Sequence, residues 1–133
     1  MITIGEHVCE WVASNIDKTY YSNSGQGIGI EKNGEIVCGV LFEDYSGQSI
    51  QIHVALKEGA RMTREWFNVL FNYAFNQLKV KKIIGAVDST NVKALQFDTH
   101  IGFVIEATIK DAGKHGDLII LTMTRQQCRF LKD

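Results

Sequence analysis

The sequence predicts a mixed α/β fold, a sheet with helices on both faces. Three observations carry this expectation. Asn33-Gly34 sits between two alternating apolar runs, the strongest short-range hairpin signal. Segments of helical period interleave with strand-like runs in the order helix, three strands, helix, strand, helix, two strands. In the long helix, Phe67, Leu70, Phe71, Ala74 and Leu78 make an apolar stripe that Trp66 and Tyr73 widen, as a helix packed against a sheet requires.

The elements follow in chain order. "GEHVCEWVASNI" spaces Val8, Trp11, Val12 and Ile16 as an amphipathic helix. "SNSGQGIGI" is expected to be a flexible loop entering a strand; its glycines do not open a helix, as a dinucleotide fingerprint requires. "GIGIEKNGEIVCGVLFEDY" gives the hairpin. "QSIQIHVAL" alternates, with Ile50, Ile52 and Val54 on one face and Gln51, His53 and Ala55 on the other. The long helix runs to about Leu78, and "KIIGAV" is expected to be a buried central strand. "DSTNVKALQFDTHIG" opens with capping residues and closes at Gly102, a C-cap. Strands around Phe103–Lys110 and Asp117–Thr124 flank "DAGKHG".

At 133 residues the chain reads as one domain, residues 1–133. Its 45% hydrophobic and 22% charged residues are ordinary for a globular protein. A net charge of −1 and a pI near 6.4 argue against nucleic acid or an anionic membrane as partner. "KVKK" at Lys79–Lys82 is expected to be a solvated helix end. No apolar run reaches ~20 residues, and the start does not read as a signal peptide. Cys9, Cys38 and Cys128, odd in number and widely spaced, suit free thiols and a cytoplasmic location. His7, His53, His100 and His115 show no metal-ligand spacing, so no metal is expected. No G-x-S-x-G motif appears, and His7 and Cys9 diverge on a helix, so they form no dyad.

"HVALKEGARMTREWF" joins a strand to a helix through Gly59-Ala60, with Lys57 and Arg61 beside them. A helix start exposes unpaired N–H groups and a dipole's positive end, so this junction is anion-competent. An ordinary turn with solvated charges is the bland alternative.

"VDSTNVKALQFDTHIGF", with its strand, Asn91, Ala94 and a helix closing in Gly-Phe, resembles the second half of the GNAT acetyltransferases. The element order matches as well. "EWVAS", "HVA", "MTREWF", "FDTHIGF" and "CRFL" are similar to small phage- and prophage-encoded members. The resemblance covers nearly the whole chain. It implies a largely antiparallel sheet with a splayed central strand pair, and acetyl-CoA as co-substrate for acetylation of an unidentified primary amine, small molecule or protein. It places Gly59, Ala60, Arg61, Met62, Thr63 and Arg64 at the CoA pyrophosphate. Val54, Ala55, Asn91 and Phe97 complete the cofactor-binding set. Leu56 stands where the family turn has Arg or Gln, and Glu58 where it has the first Gly. Partners are then acetyl-CoA and the amine, with a homodimer as an option. The alternative is a catalytically weak or inactive binding module acting on a host or virion protein.

His53 lies on the strand that supplies the oxyanion donor in the family, off the apolar face. With an unperturbed pKa of ~6.5 it suits a general base; a structural histidine within the sheet is the alternative. Glu43, Asp44 and Glu58 compete for the role. Asn91 reads equally as a helix cap. Asp98 occupies the position where many family members place a Tyr general acid. It is expected to face the surface, ionised with a pKa of ~3.9, and not to be the proton donor.

Overall fold

Asn33 and Gly34 both take positive φ, 54° and 80°, as a type I′ hairpin turn demands. They join β2 (Gly25–Lys32) to β3 (Glu35–Glu43), and β4 (Ser49–Leu56) follows. These pair antiparallel in succession, with Leu41 opposite His53 and Glu43 opposite Gln51. The structure is a computed structural model describing residues 1–131. Three further strands lie beyond β4: β5 (Lys82–Asp88), β6 (Val104–Ile109) and β7 (Leu118–Thr124). A short β1 (Ile2–Ile4), absent from the sequence expectation, pairs with β2. The seven strands run in the order β1-β2-β3-β4-β5-β7-β6.

Helices cover both faces, as predicted. On one lies α1 (Glu6–Asn15), burying Val8, Cys9, Val12 and Ala13 against Leu41 and Ala55. On the other lie α2 (Arg64–Asn72), extended by a π turn over Tyr73–Gln77, and α3 (Val92–Ile101). Trp66, Leu70, Phe71, Phe75 and Ile101 pack there on Val40, Phe42, Ile50, Ile52 and Ile83. The buried Trp66 indole N–H donates to the Ile28 carbonyl at 3.0 Å. Phe130, near the C-terminus, stacks on Phe67 and Phe71. Gly102 ends α3 in the left-handed region, φ 119°, as expected.

The strand after the "SNSG" stretch starts earlier than expected: Gly25 and Gln26 already belong to β2, which continues through Gly27 and Gly29 as the hairpin reading had it. A Cβ on Gly27 would stand 2.7 Å from both the Cys9 backbone nitrogen and the Val8 Cβ. One on Gly39 would meet Val8 and Val12 methyls at 3.0 Å. The glycine track therefore lets α1 settle directly onto the sheet.

The feature that creates a site is the junction of β4 and β5. They run parallel and pair only at Ser49–Lys82, Ile50–Ile83 and Gln51–Ile84. Beyond that β4 continues to Leu56 beside β3, and β5 to Asp88 beside β7, without pairing to each other. The facing edges of the two strands are left without ladder partners. This is the splayed pair that the sequence resemblance implied. "KIIGAV" is accordingly central but only half-buried, with Ile83 and Gly85 inside and Ala86 exposed.

Among the described residues no helix is long and apolar enough to cross a membrane, and no group of three His, Cys, Asp or Glu is placed to hold a metal. Cys9, Cys38 and Cys128 are all free thiols.

Candidate active site

Where β4 and β5 part, a cleft of about 480 Å³ opens through the sheet. Its walls are His53 and Val54 of β4, Gly85 and Ala86 of β5, and Asn91, Phe97 and Asp98 around α3; Ile16, just past α1, closes the far side. Gly85 has no side chain to fill the opening. A Cβ there would lie 3.9 Å from both an Asp98 carboxylate oxygen and an Ile52 methyl.

His53 points to the α1 side, opposite Ile52 and Val54, as strand alternation requires. Its Nε2 lies 3.2 Å from Glu43 Oε1, and Lys18 Nζ lies 2.9 Å from the same oxygen. Glu43 is only 8% exposed. Neither contact to Oε1 has the angle of a hydrogen bond, so Oε1 and Nε2 are buried without a hydrogen-bond partner among the described residues. Proximity to Glu43 favours a protonated His53, but it is outweighed. Burial, and next the Lys18 charge, push the imidazole pKa below its ordinary value. His53 is thus held neutral, with a proton-accepting nitrogen, near neutral pH.

Asp98 departs from expectation. It does not face the surface; it lines the cleft, and burial pushes its carboxyl up to about 6. A carboxyl so placed carries a proton for an appreciable fraction of the time near neutrality.

Asn91 is both wall and cap: its side-chain oxygen accepts from the Ala94 N–H at 3.2 Å while the residue borders the cleft. Phe97 packs against Phe67 with one edge open to the cleft. Val54 lies on the cleft wall, whereas the Ala55 side chain is buried under α1.

At the mouth, Lys57 to Thr63 connect β4 to α2. Ala60 N–H closes a turn on the Lys57 carbonyl at 2.9 Å, and Gly59 takes φ 78° with open space about it. Thr63 caps α2 through the Trp66 N–H at 3.2 Å. The N–H groups of Arg64 and Glu65, in the first turn, have no intrahelical acceptor by construction. Arg61 and Met62 approach this helix start in an irregular segment. The Arg64 guanidinium turns away, to the Arg129 carbonyl at 3.4 Å and the Phe130 ring at 5.7 Å.

Sequence reasoning missed two features. Lys18 meets Glu43 because Asp17 reverses the chain after α1 at φ 53°, with the Lys18 N–H bonded to the Ala13 carbonyl; no sequence motif announces that turn. Asp88, at the end of β5, accepts from the N–H groups of Thr90, His115 and Gly116. It thereby ties the β6–β7 loop to the cleft's edge.

No family model matches the chain, and no curated sequence matches it. Solved structures do. A variant of the spermidine N-acetyltransferase of Vibrio cholerae superposes with a TM-score of 0.73 at 16% identity, covering 93% of this chain and 94% of that one. The dodecameric form of the Vibrio cholerae enzyme, in an intermediate state, gives 0.73 at 16%, covering 95% and 94%. A chimera of the Vibrio cholerae spermidine N-acetyltransferase and hSSAT gives 0.65 at 20%, covering 88% and 77%. The sheet with its parting central strands and two-sided helices is therefore the GNAT-like fold of these acetyltransferases.

Proposed function

We propose that this protein is an acetyl-CoA-dependent N-acetyltransferase acting on a primary amine. The parting of β4 and β5 after three parallel pairs, which opens a cleft with a neutral histidine on its wall, carries this function. The residues present suit the thioester substrate. The free backbone edge along Val54 and Ala55 offers hydrogen bonds to the pantetheine amides, in the manner of an added strand. Asn91 offers an amide that both donates and accepts, and Phe97 an apolar wall. The loop from Gly59 through Ala60, Arg61, Met62 and Thr63 to Arg64 offers backbone donors and a helix start for the pyrophosphate. Arg64 contributes its N–H, because its side chain is engaged elsewhere.

The chemistry follows from the two walls. A primary alkyl amine is protonated near pH 7 and must lose a proton before it attacks the thioester carbonyl. The His53 imidazole accepts that proton, and the buried Glu43 carboxylate stabilises the imidazolium that forms. A backbone N–H on the open β4 edge steadies the carbonyl oxygen as it gains charge. The departing thiolate takes a proton from Asp98 or from water. The similar solved structures bear the name spermidine N-acetyltransferase, and a polyamine is accordingly the first acceptor to try. A phage or prophage source rests on the sequence motifs alone. Cytoplasmic residence is supported by the three free thiols, and self-association by the dodecamer of one similar structure.

A non-catalytic binding module of the same shape is the rival, favoured by the averted Arg64 side chain and by Glu58 in the loop. Thermal shift with acetyl-CoA and with free CoA separates the two, followed by thiol release with a panel of amines that includes spermidine. Stabilisation by both nucleotides and amine-dependent thiol release are expected. A melting temperature unmoved by either nucleotide at millimolar concentration sinks the proposal.

A further inference from the structure

Lys18 shares a buried carboxylate with the cleft histidine. Among the described residues it is the lysine whose ammonium shares a carboxylate oxygen with His53: Nζ lies 2.9 Å and Nε2 3.2 Å from Glu43 Oε1. The neighbouring Ile16 borders the same cleft. The chain holds it there, since the left-handed Asp17 and the Lys18 N–H bond to Ala13 turn the segment back over the sheet. Its side chain is 31% exposed, partly withdrawn from water. The other paired lysines lie apart from the histidine: Lys57 on Glu35, Lys82 on Glu106 and Lys114 on Asp17. Lys93 also borders the cleft, but no ion pair joins it to a carboxylate or histidine among the described residues.

We propose that Lys18 is an internal acceptor, acetylated in cis on Nζ by the protein's own acetyl-CoA; this rests on the acetyltransferase function proposed above. The ammonium first yields a proton to His53, with which it shares Glu43 Oε1. The free amine attacks the thioester carbonyl, a C–N bond forms, and the C–S bond breaks. A second proton leaves the nitrogen as the amide forms. One of the two protons ends on the departing thiol and the other passes from His53 to solvent, so the products are N-acetyl-Lys18, CoA thiol and a proton. The product amide is neutral. It releases Glu43 from its resident cation and leaves a buried carboxylate free for the ammonium of an incoming acceptor.

The test incubates the full chain with acetyl-CoA and no added amine, then maps acetyl-lysine by peptide mass spectrometry over time. Lys93 serves as the proximity control and Lys18→Arg as the blank. Lys18 should be modified before Lys93, at a rate independent of protein concentration. His53→Ala and His53→Gln, checked for folding by circular dichroism, should each slow it about 100-fold. Thermal shift with acetyl-CoA runs in parallel. An unmodified Lys18 in protein that acetyl-CoA stabilises overturns the proposal while leaving the acetyltransferase function standing. So does modification at an unchanged rate in a folded His53 variant, or a rate that climbs with protein concentration. Absence of any acetyl-CoA stabilisation overturns both together.

Discussion

Replacing Asp98 by Asn removes a buried charge while keeping the side chain's shape. Its effect can be worked out without knowing the acceptor. In the unfolded chain the carboxyl titrates near its ordinary 3.8; in the folded protein burial pushes it up to about 6. A raised folded-state value means that the native structure prefers the protonated form. Below the unfolded value both states hold the proton, and Asp98 costs nothing. As the pH rises through about 6 the native protein must ionise a carboxyl inside the cleft, and stability is lost until both states are ionised. A shift of roughly two units corresponds to about 3 kcal/mol. Asp98→Asn should therefore match the parent within ~1 kcal/mol at pH 4 and exceed it by ~1–3 kcal/mol above pH 7. Urea unfolding of the two proteins at matched pH measures this, since the difference cancels every other titrating group. A stability difference that stays constant from pH 4 to pH 8 refutes the burial argument. Turnover supplies an independent reading. If the carboxyl donates to the thiolate, parent turnover should decline above about pH 6 and the variant should lose on the order of 100-fold; a loss of only a few-fold assigns that proton to water.

His53→Ala should lower turnover by roughly 100-fold while acetyl-CoA still stabilises the fold. The parent's acidic limb should fall below the ordinary histidine value of ~6.5, because burial and Lys18 depress the imidazole against the opposing pull of Glu43 and Asp44; steady-state rates from pH 5 to 8 check both. Gly59→Glu adds a carboxylate and a side chain at φ 78°, and should abolish CoA-induced stabilisation in thermal shift while leaving far-UV circular dichroism intact. Gly27→Val collides with the Cys9 backbone nitrogen at 2.7 Å, backbone that cannot rotate aside, and should cost ~1–3 kcal/mol or more in urea unfolding.

Most of the architecture was legible in the sequence because it rests on local signals. Asn33-Gly34 demanded a type I′ turn, and the chain makes one. Gly102 demanded a left-handed cap, and α3 has one. Where signals were weak or ambiguous, the expectation slipped. The three residues of β1 are too few for alternation to register, and their pairing with β2 exists only in the folded sheet. Gly25 reads equally as loop or strand, and its close approach to the Phe42 carbonyl of the paired strand, 2.5 Å from where a Cβ would stand, exists only in the folded sheet.

The site divides along the same line, between what one stretch of chain encodes and what packing creates. His53 could be placed off the apolar face from alternation alone, and Asn91 at a helix start from its neighbours. The proton affinities of the groups that line the cleft could not be read this way. Asp98 has no apolar signature in "QFDTHIG"; its raised pKa comes from burial in a cleft that it lines together with Ile52 and Gly85, segments brought together only by folding. His53 is depressed partly by Lys18, which lies far from it in sequence. The two shifts act in opposite directions. The imidazole is lowered from its ordinary 6.5 and the carboxyl is raised to about 6, so each group is biased towards its neutral form. Separate environments acting on two ordinary side chains shift their proton affinities in opposite directions. Here the parting of β4 and β5 supplies both environments at once, with the imidazole on the α1 side of the sheet and the carboxyl on the α3 side.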